Sequence, residues 1–187
     1  FGIPWDEVTP EQRSHAKAVN FGIIYGISDF GLARNISISR QQAKEYIDSY
    51  FARYSTIHAY MDKLVAEARE TGMAKTMFGR IRTLTDINSK NFTRRSFAER
   101  TAMNTPIQGS AADIIKLAMN AVQDELERRS LRSRLLVQVH DELVLEVPAD
   151  EREEVETLLK DTMEHIVTLS VPLVVDIHCG RNWEEAK

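Results

Sequence analysis

Leu135-Leu-Val-Gln-Val-His-Asp-Glu-Leu-Val-Leu-Glu-Val147 is the stretch where the chain changes character. Two short, partly alternating β-branched runs, 135–140 and 143–147, flank Asp141-Glu142. Such alternation marks half-buried strands. Two intervening residues predict a tight hairpin, although the turn lacks glycine. Pro148 ends the second run, and Asp150-x-x-Glu153 has the spacing of a capping box that opens a helix over 150–168. Residues 171–178 read as a third strand, with Pro172 placing its start at a sheet edge. The expected fold class is α+β: a helix-rich first part, then part of an antiparallel sheet in the order ββαβ.

Upstream, capping chemistry spells out the helices. Thr9-Pro10-Glu11-Gln12 combines a Thr N-cap, Pro at the first helical position and Gln three residues past the cap. Ser39-x-x-Gln42 and Ser110-x-x-Asp113 repeat the pattern. The predicted helices are 10–25, 40–53, 56–71 (ending at Gly72), 94–105 (stopped by Pro106) and 110–130. Gly79, Asp86-Ile-Asn88 and Lys90-Asn91 punctuate 75–93, which reads as a basic loop with little regular structure.

Composition bounds the class. The 187 residues are 43% hydrophobic and 28% charged, ordinary for a globular chain that buries a core. A lone Cys179 rules out an internal disulfide framework and suits a reduced intracellular compartment. No apolar run approaches the roughly 20 residues that span a bilayer. The start, Phe1-Gly2-Ile3-Pro4-Trp5, lacks the charged and apolar regions of a signal peptide and has no initiator Met, as a cut end would. The net charge of −4 hides an asymmetry: residues 1–100 carry +4 and residues 101–187 carry −8. Within 75–100 there are 7 basic and 2 acidic residues. A basic segment beside an acidic half suggests a polyanion partner next to a cation-seeking site; two ordinary solvated faces are the alternative.

Three constellations carry chemistry. Arg13, Lys17, Phe21 and Tyr25 recur every four residues on the first helix, sharing a face about 120° wide and about 18 Å long. Two cations near a helix N-terminus suit phosphates, and two aromatics suit a base or sugar. That arrangement fits a nucleoside triphosphate lying along the helix; aromatics packed in the core are the alternative. His140-Asp141-Glu142 presents adjacent carboxylates on a rigid turn, a mount for Mg²⁺, or else a solvated acidic turn. Arg100, Asn104 and Gln108, again spaced by four, can hydrogen-bond base edges in a minor groove, or can serve as structural polar contacts. The other histidines have no metal-ligand spacing. No Walker loop, dinucleotide fingerprint or nucleophile elbow is present.

Together these motifs resemble the polymerase domain of family A DNA polymerases, the bacterial DNA polymerase I type. Arg13-x3-Lys17-x3-Phe21-x3-Tyr25-Gly26 matches the family's fingers-helix motif, and Gln138-Val-His-Asp-Glu142 its palm carboxylate motif. Ser96-Phe-Ala-Glu-Arg100 and Asn104-Thr-Pro-Ile-Gln-Gly-Ser-Ala-Ala-Asp113 match the segment linking fingers to palm. The resemblance covers essentially the whole chain, with residues 1–93 as fingers and 94–187 as part of the palm. It implies template-directed nucleotidyl transfer from dNTPs to a primer 3′-OH, in DNA replication or repair, in a bacterial cytoplasm close to the nucleoid. Arg13 and Lys17 would grip the triphosphate, Phe21 would lie against the sugar, and Tyr25 would stack near the templating base. A Phe rather than a Tyr at position 21 goes with discrimination against dideoxynucleotides, since Phe brings no hydroxyl to replace the missing 3′-OH. Asp141, with Glu142 less essential, would bind Mg²⁺, two ions in the intact parent. His140 would approach the primer terminus, and Arg100, Asn104 and Gln108 would line primer-template DNA.

One departure stands out. The family's second metal-binding Asp lies on a palm strand before the fingers helix, and nothing before Thr9 matches it; Asp6-Glu7 lies too close to the helix. The thumb has no counterpart either. The expectation is a C-terminal part of a polymerase whose other partner is the remainder of the chain, and which does not polymerise alone. The competing reading is a non-catalytic nucleotide- or nucleic-acid-binding module.

Overall fold

The computed structural model describes residues 3–186. Phe1 and Gly2, the first residues of the stretch lacking signal-peptide character, and Lys187 lie outside the described residues. The chain packs as two units, Phe1–Gly109 and Ser110–Lys187.

In the first unit, a short 3-10 turn (Trp5–Glu7) precedes α1 (Pro10–Ile24). The predicted capping box is formed: Thr9 Oγ1 accepts from Gln12 N–H at 3.2 Å, and Gln12 Oε1 accepts from Thr9 N–H at 2.9 Å. Next comes α2 (Asp29–Asn35), a seven-residue helix absent from the sequence reading. Its signal is Ser28, whose hydroxyl accepts from Gly31 N–H, but seven residues are too few to display a helical period. The next two are α3 (Arg40–Arg53), capped reciprocally by Ser39 and Gln42 as expected, and α4 (Ser55–Thr71), ended by Gly72 in the left-handed region. Leu32, Ile36 and Ala43 form a core to which α1 contributes Ala18 and Val19. A second core joins Ala68 of α4 to Ala74, Leu84, Ile87, Ala98 and Ala102.

The 75–93 stretch departs from expectation. It contains most of an antiparallel hairpin, β1 (Met73–Lys75) with β2 (Ile81–Thr83), in the register Met73↔Thr83. Strands of three residues are too short to alternate legibly. The turn is held instead by the buried Thr76, whose hydroxyl accepts from Phe78 and Arg80 N–H, and by Gly79 at φ +81°.

The predicted stop at Pro106 is also corrected. Following α5 (Phe92–Asn104), the chain continues through a π turn, Thr105–Gly109, directly into α6 (Ser110–Arg128). An i→i+5 turn inserts the extra residue that lets the helical path bypass a residue with no N–H to give. Thr105 closes α5 with both backbone N–H and hydroxyl donated to Thr101 O, the latter at 2.7 Å. Ser110 is therefore a buried helical residue rather than an N-cap.

In the second unit, β3 (Arg134–Val139) pairs antiparallel with β4 (Glu142–Glu146). Leu143, Leu145 and Val147 pack on Val122 and Leu126 of α6 and on Val155 and Leu158 of α7 (Arg152–Glu164). The turn sits one residue earlier than expected: Val139 pairs with Glu142, so His140 and Asp141 make it. His140 takes φ +53° at the first turn position, doing without glycine.

Two further expectations fail here. The Asp150-x-x-Glu153 box is not formed; α7 starts two residues later with no side-chain cap. Both acidic side chains ahead of it are claimed by the segment entering β3. Arg132 pairs with Asp150, while Glu151 accepts from Ser133 Oγ at 2.7 Å, Ser133 N–H at 2.9 Å, and the backbone and Nε of Arg132. Nor is 171–178 a strand. A strand exists only against a partner's backbone, and among the described residues β3 and β4 pair only with each other. Val175 N–H instead donates to Glu164 Oε1 at 3.1 Å, and Val171 and Val174 are exposed.

The Glu151 clasp has a pH signature. The Ser133 hydroxyl and the Arg132 amide hold its carboxyl down to about 2. Because the folded value lies below the unfolded one, stabilisation is complete above the ordinary carboxylate pKa. It is lost as pH falls toward 2, where the unfolded chain takes up the proton first. Glu151→Gln is expected to lower Tm by several degrees at pH 7. Urea midpoints should also fall less steeply between about pH 5 and pH 2 than in wild type. Parallel midpoint curves would show that the clasp does not supply this slope.

Candidate active site

The first unit presents α1 as a helix with two dissimilar sides. Ala18, Val19 and the 2%-exposed Ile23 face the core. Arg13 and Lys17 stand exposed on the other side, and no carboxylate pairs with either among the described residues. Phe21 is 50% exposed, which excludes the core alternative for it. Its ring stacks on Tyr25 with centroids 6.3 Å apart and planes 12° from parallel. All four predicted residues thus share one row: two exposed cations, then two aligned aromatic faces. The half-buried Tyr25 closes α1 at its C-cap.

Tyr25 also lines a recess of about 380 Å³ with Gly22, Gly26, Ile27, Ser28, Gly31 and Arg100. Gly26 adopts φ +73°, and a Cβ there would lie 2.5 Å from Met103 Cε and 3.1 Å from Arg100 Cγ. Only glycine allows both the turn and the close approach of α5. The fourfold spacing groups Arg100 with Asn104 and Gln108. The structure instead brings it to Tyr25, with Nη1 donating to Ser96 Oγ at 3.1 Å. The pairing of Gly22 and Gly26 four residues apart, followed by Ser28-x-x-Gly31, was the available signal for this recess.

Asn104 and Gln108 do meet. They line a second cleft, of about 180 Å³, with Thr76, Arg80, Ile81 and Arg82 of the β1–β2 hairpin. The π turn explains why a spacing of four still converges across Pro106, since its longer turn returns Gln108 toward the Asn104 side. Asn104 Oδ1 is buried there without a hydrogen-bond donor. The hairpin wall has no legible signal in sequence, because its strands are three residues each. The close seat of hairpin on turn depends on Gly109, where a Cβ would come within 2.7 Å of Thr76 Cγ2.

In the second unit, His140, Asp141 and Glu142 are all exposed, the first two forming the hairpin tip and Glu142 opening β4. Gln138 Nε2 donates to His140 O, bracing the turn from β3. Glu142 is a strand residue opposite Val139, so the two carboxylates sit on different local frames, turn and strand. Among the described residues, no group of three or more His, Cys, Asp or Glu side chains is placed to hold a metal. Asp141 and Glu142 nevertheless fit Mg²⁺ as hard, exposed carboxylate donors, because this ion takes one or two protein carboxylates and completes its shell from phosphate and water.

A family model described as DNA polymerase family A matches residues 1–185. The chain belongs to this family. It is 54% identical over its whole length to DNA polymerase I of Lactococcus lactis subsp. lactis and 56% identical to that of Streptococcus pneumoniae. In each case it spans 21% of the relative, about a fifth of its length. A similar solved structure is the POL domain of Pol1 from M. smegmatis in complex with DNA primer-template and dNTP. This family A chain shares 45% identity with it at a TM-score of 0.95, covering all of this chain and 33% of that one. Among the described residues, no helix of this family A chain is long and apolar enough to cross a membrane.

Proposed function

We propose that these residues are the fingers (1–93) and part of the palm (94–187) of a DNA-directed DNA polymerase. Its substrates would be dNTPs and primer-template DNA. The observation that carries this reading is the exposed row Arg13–Lys17–Phe21–Tyr25 on a helix whose opposite side is core. A relative in the same family, solved with primer-template and dNTP, supports it.

In this reading Arg13 and Lys17 bind the triphosphate and neutralise charge as it shifts toward the leaving pyrophosphate. Phe21 lies against the sugar, where its half-exposed ring excludes water. Tyr25 and Arg100 border the recess next to the templating base. Asn104 and Gln108 offer hydrogen-bonding groups to base edges, with Arg82 nearby for phosphate. His140 faces the primer end, and Asp141, with Glu142 beside it, would hold Mg²⁺. When bound, that ion lowers the pKa of the attacking 3′-hydroxyl and offsets charge on the phosphate oxygens. Swinging α1 toward a correct pair provides selectivity by induced fit. Function in replication or repair, and a bacterial cytoplasmic setting close to the nucleoid, are part of the same proposal.

Residues 1–187 bring one of the two metal-binding carboxylates that the family resemblance implies, so by themselves they are not expected to polymerise. The test is a chimera in which this chain replaces the matching 188 residues of Lactococcus lactis DNA polymerase I. With labelled primer-template, Mg²⁺ and dNTPs, the chimera should extend the primer and the isolated 187 residues should not. An inactive but folded chimera would favour a module that binds nucleotides without chemistry.

A further inference from the structure

The nucleotide-facing row on α1 is only useful if the helix is held at the right rotation about its own axis. Apolar contacts through Ala18 and Val19 are non-directional and leave that rotation soft. A directional contact is placed to set it. Tyr50 of α3 donates its hydroxyl to Asn20 Oδ1 at 2.9 Å, across 30 residues of chain.

Asn20 sits on the margin of the row, three residues past Lys17 and next to Phe21. At about 100° per residue it lies about 60° from Lys17 and about 60° from Ile23. It therefore stands between the nucleotide side and the core side, where a fixed point has most leverage on rotation. Tyr50 is itself immobilised. It is half-buried, packs edge-on against Phe51 at 5.8 Å and lies 4.9 Å from the Tyr54 ring. Its hydroxyl thus reaches Asn20 from a stiff aromatic corner at the C-terminal end of α3.

We propose that Tyr50, acting through Asn20, is a positioning residue that presets the rotation of α1 and so the presentation of Lys17 and Phe21 to the incoming nucleotide. The proposal rests on the polymerase reading above. Loss of the hydrogen bond would let α1 populate rotations in which the row is misdirected. Apparent affinity then falls by the fraction of competent helix, while a nucleotide once bound reacts as before.

The experiment uses the complete polymerase polypeptide carrying this chain, with single-nucleotide incorporation measured across dNTP concentration. Tyr50→Phe removes the hydroxyl alone. It should raise KM for dNTP about five-fold with kcat changed less than about two-fold, while Tm stays within about 2 °C. Asn20→Leu should do the same, and the double variant should be no worse than either single one, since both break one contact. Unchanged KM in Tyr50→Phe, or additive effects in the double variant, would overturn the proposal. So would a loss of kcat that merely tracks a fall in Tm. Lys17→Ala separates the two ideas. If it abolishes incorporation while Tyr50→Phe leaves KM unchanged, the positioning role fails and the polymerase reading stands. If Lys17→Ala itself is silent, the nucleotide reading fails.

Discussion

Lys17→Ala is expected to lower kcat/KM for nucleotide incorporation by about 10²–10³-fold in the complete polymerase polypeptide, the range for removing one preorganised group that stabilises developing charge. The size follows from position. Lys17 is exposed in the middle of α1, no carboxylate holds it among the described residues, and Arg13 lies one turn before it on the same row. In the proposed function its ammonium would meet phosphate, and its charge would matter most when the bond to the leaving group lengthens. The fold gives a clean control. Ala is the better helix former at an exposed position, so Tm should hold or rise slightly. Rapid-quench incorporation and a melting curve on the same preparation separate the two quantities. Wild-type kinetics in the alanine variant would remove α1 from the mechanism.

Asp141→Asn should be more severe, a fall of about 10³-fold or more in incorporation rate, because in the proposed function Asp141 would hold a metal whose charge stabilisation is worth several kcal/mol, and each 1.36 kcal/mol is about ten-fold. Geometry again keeps the test clean. Asp141 is the second residue of a two-residue turn, exposed at its tip, and the positive φ that shapes the turn belongs to His140. Asn is at home in such turns, so the hairpin and its packing on α6 and α7 are unaffected. Primer extension across a Mg²⁺ series is the readout, with DNA binding followed by fluorescence anisotropy as a control. Glu142→Gln should lose far less, since Glu142 belongs to β4 rather than the tip. Equal losses in both would mean that the two carboxylates act as one unit.

Much of the first unit was legible because its information is local. The Thr9 and Ser39 capping boxes and the Gly72 stop each lie within a few residues, and each formed as read. Two of the failures depended on partners distant in sequence. Asp150 and Glu151 look like a helix start, but Arg132 and Ser133 claim them from across the fold. Residues 171–178 carry a strand's composition without a strand to pair with among the described residues. Pro106 looks like a terminator, yet a π turn carries the helix past it.

The candidate site divides in the same way. The fourfold spacing of Arg13, Lys17, Phe21 and Tyr25 places them on one face of any regular helix, so the sequence alone determined that they share a side. It also put Asp141 at a hairpin tip, because alternation on both sides leaves no other place for it. Which side of α1 faces outward was decided by the tertiary structure, through the core that takes Ala18 and Val19 and the burial of Ile23. So was the transfer of Arg100 to the Tyr25 recess, and the cleft between Asn104, Gln108 and a hairpin invisible in sequence. The physical reason is that periodicity fixes angles about one helix axis, whereas a pocket is a distance between elements, and only packing sets that distance.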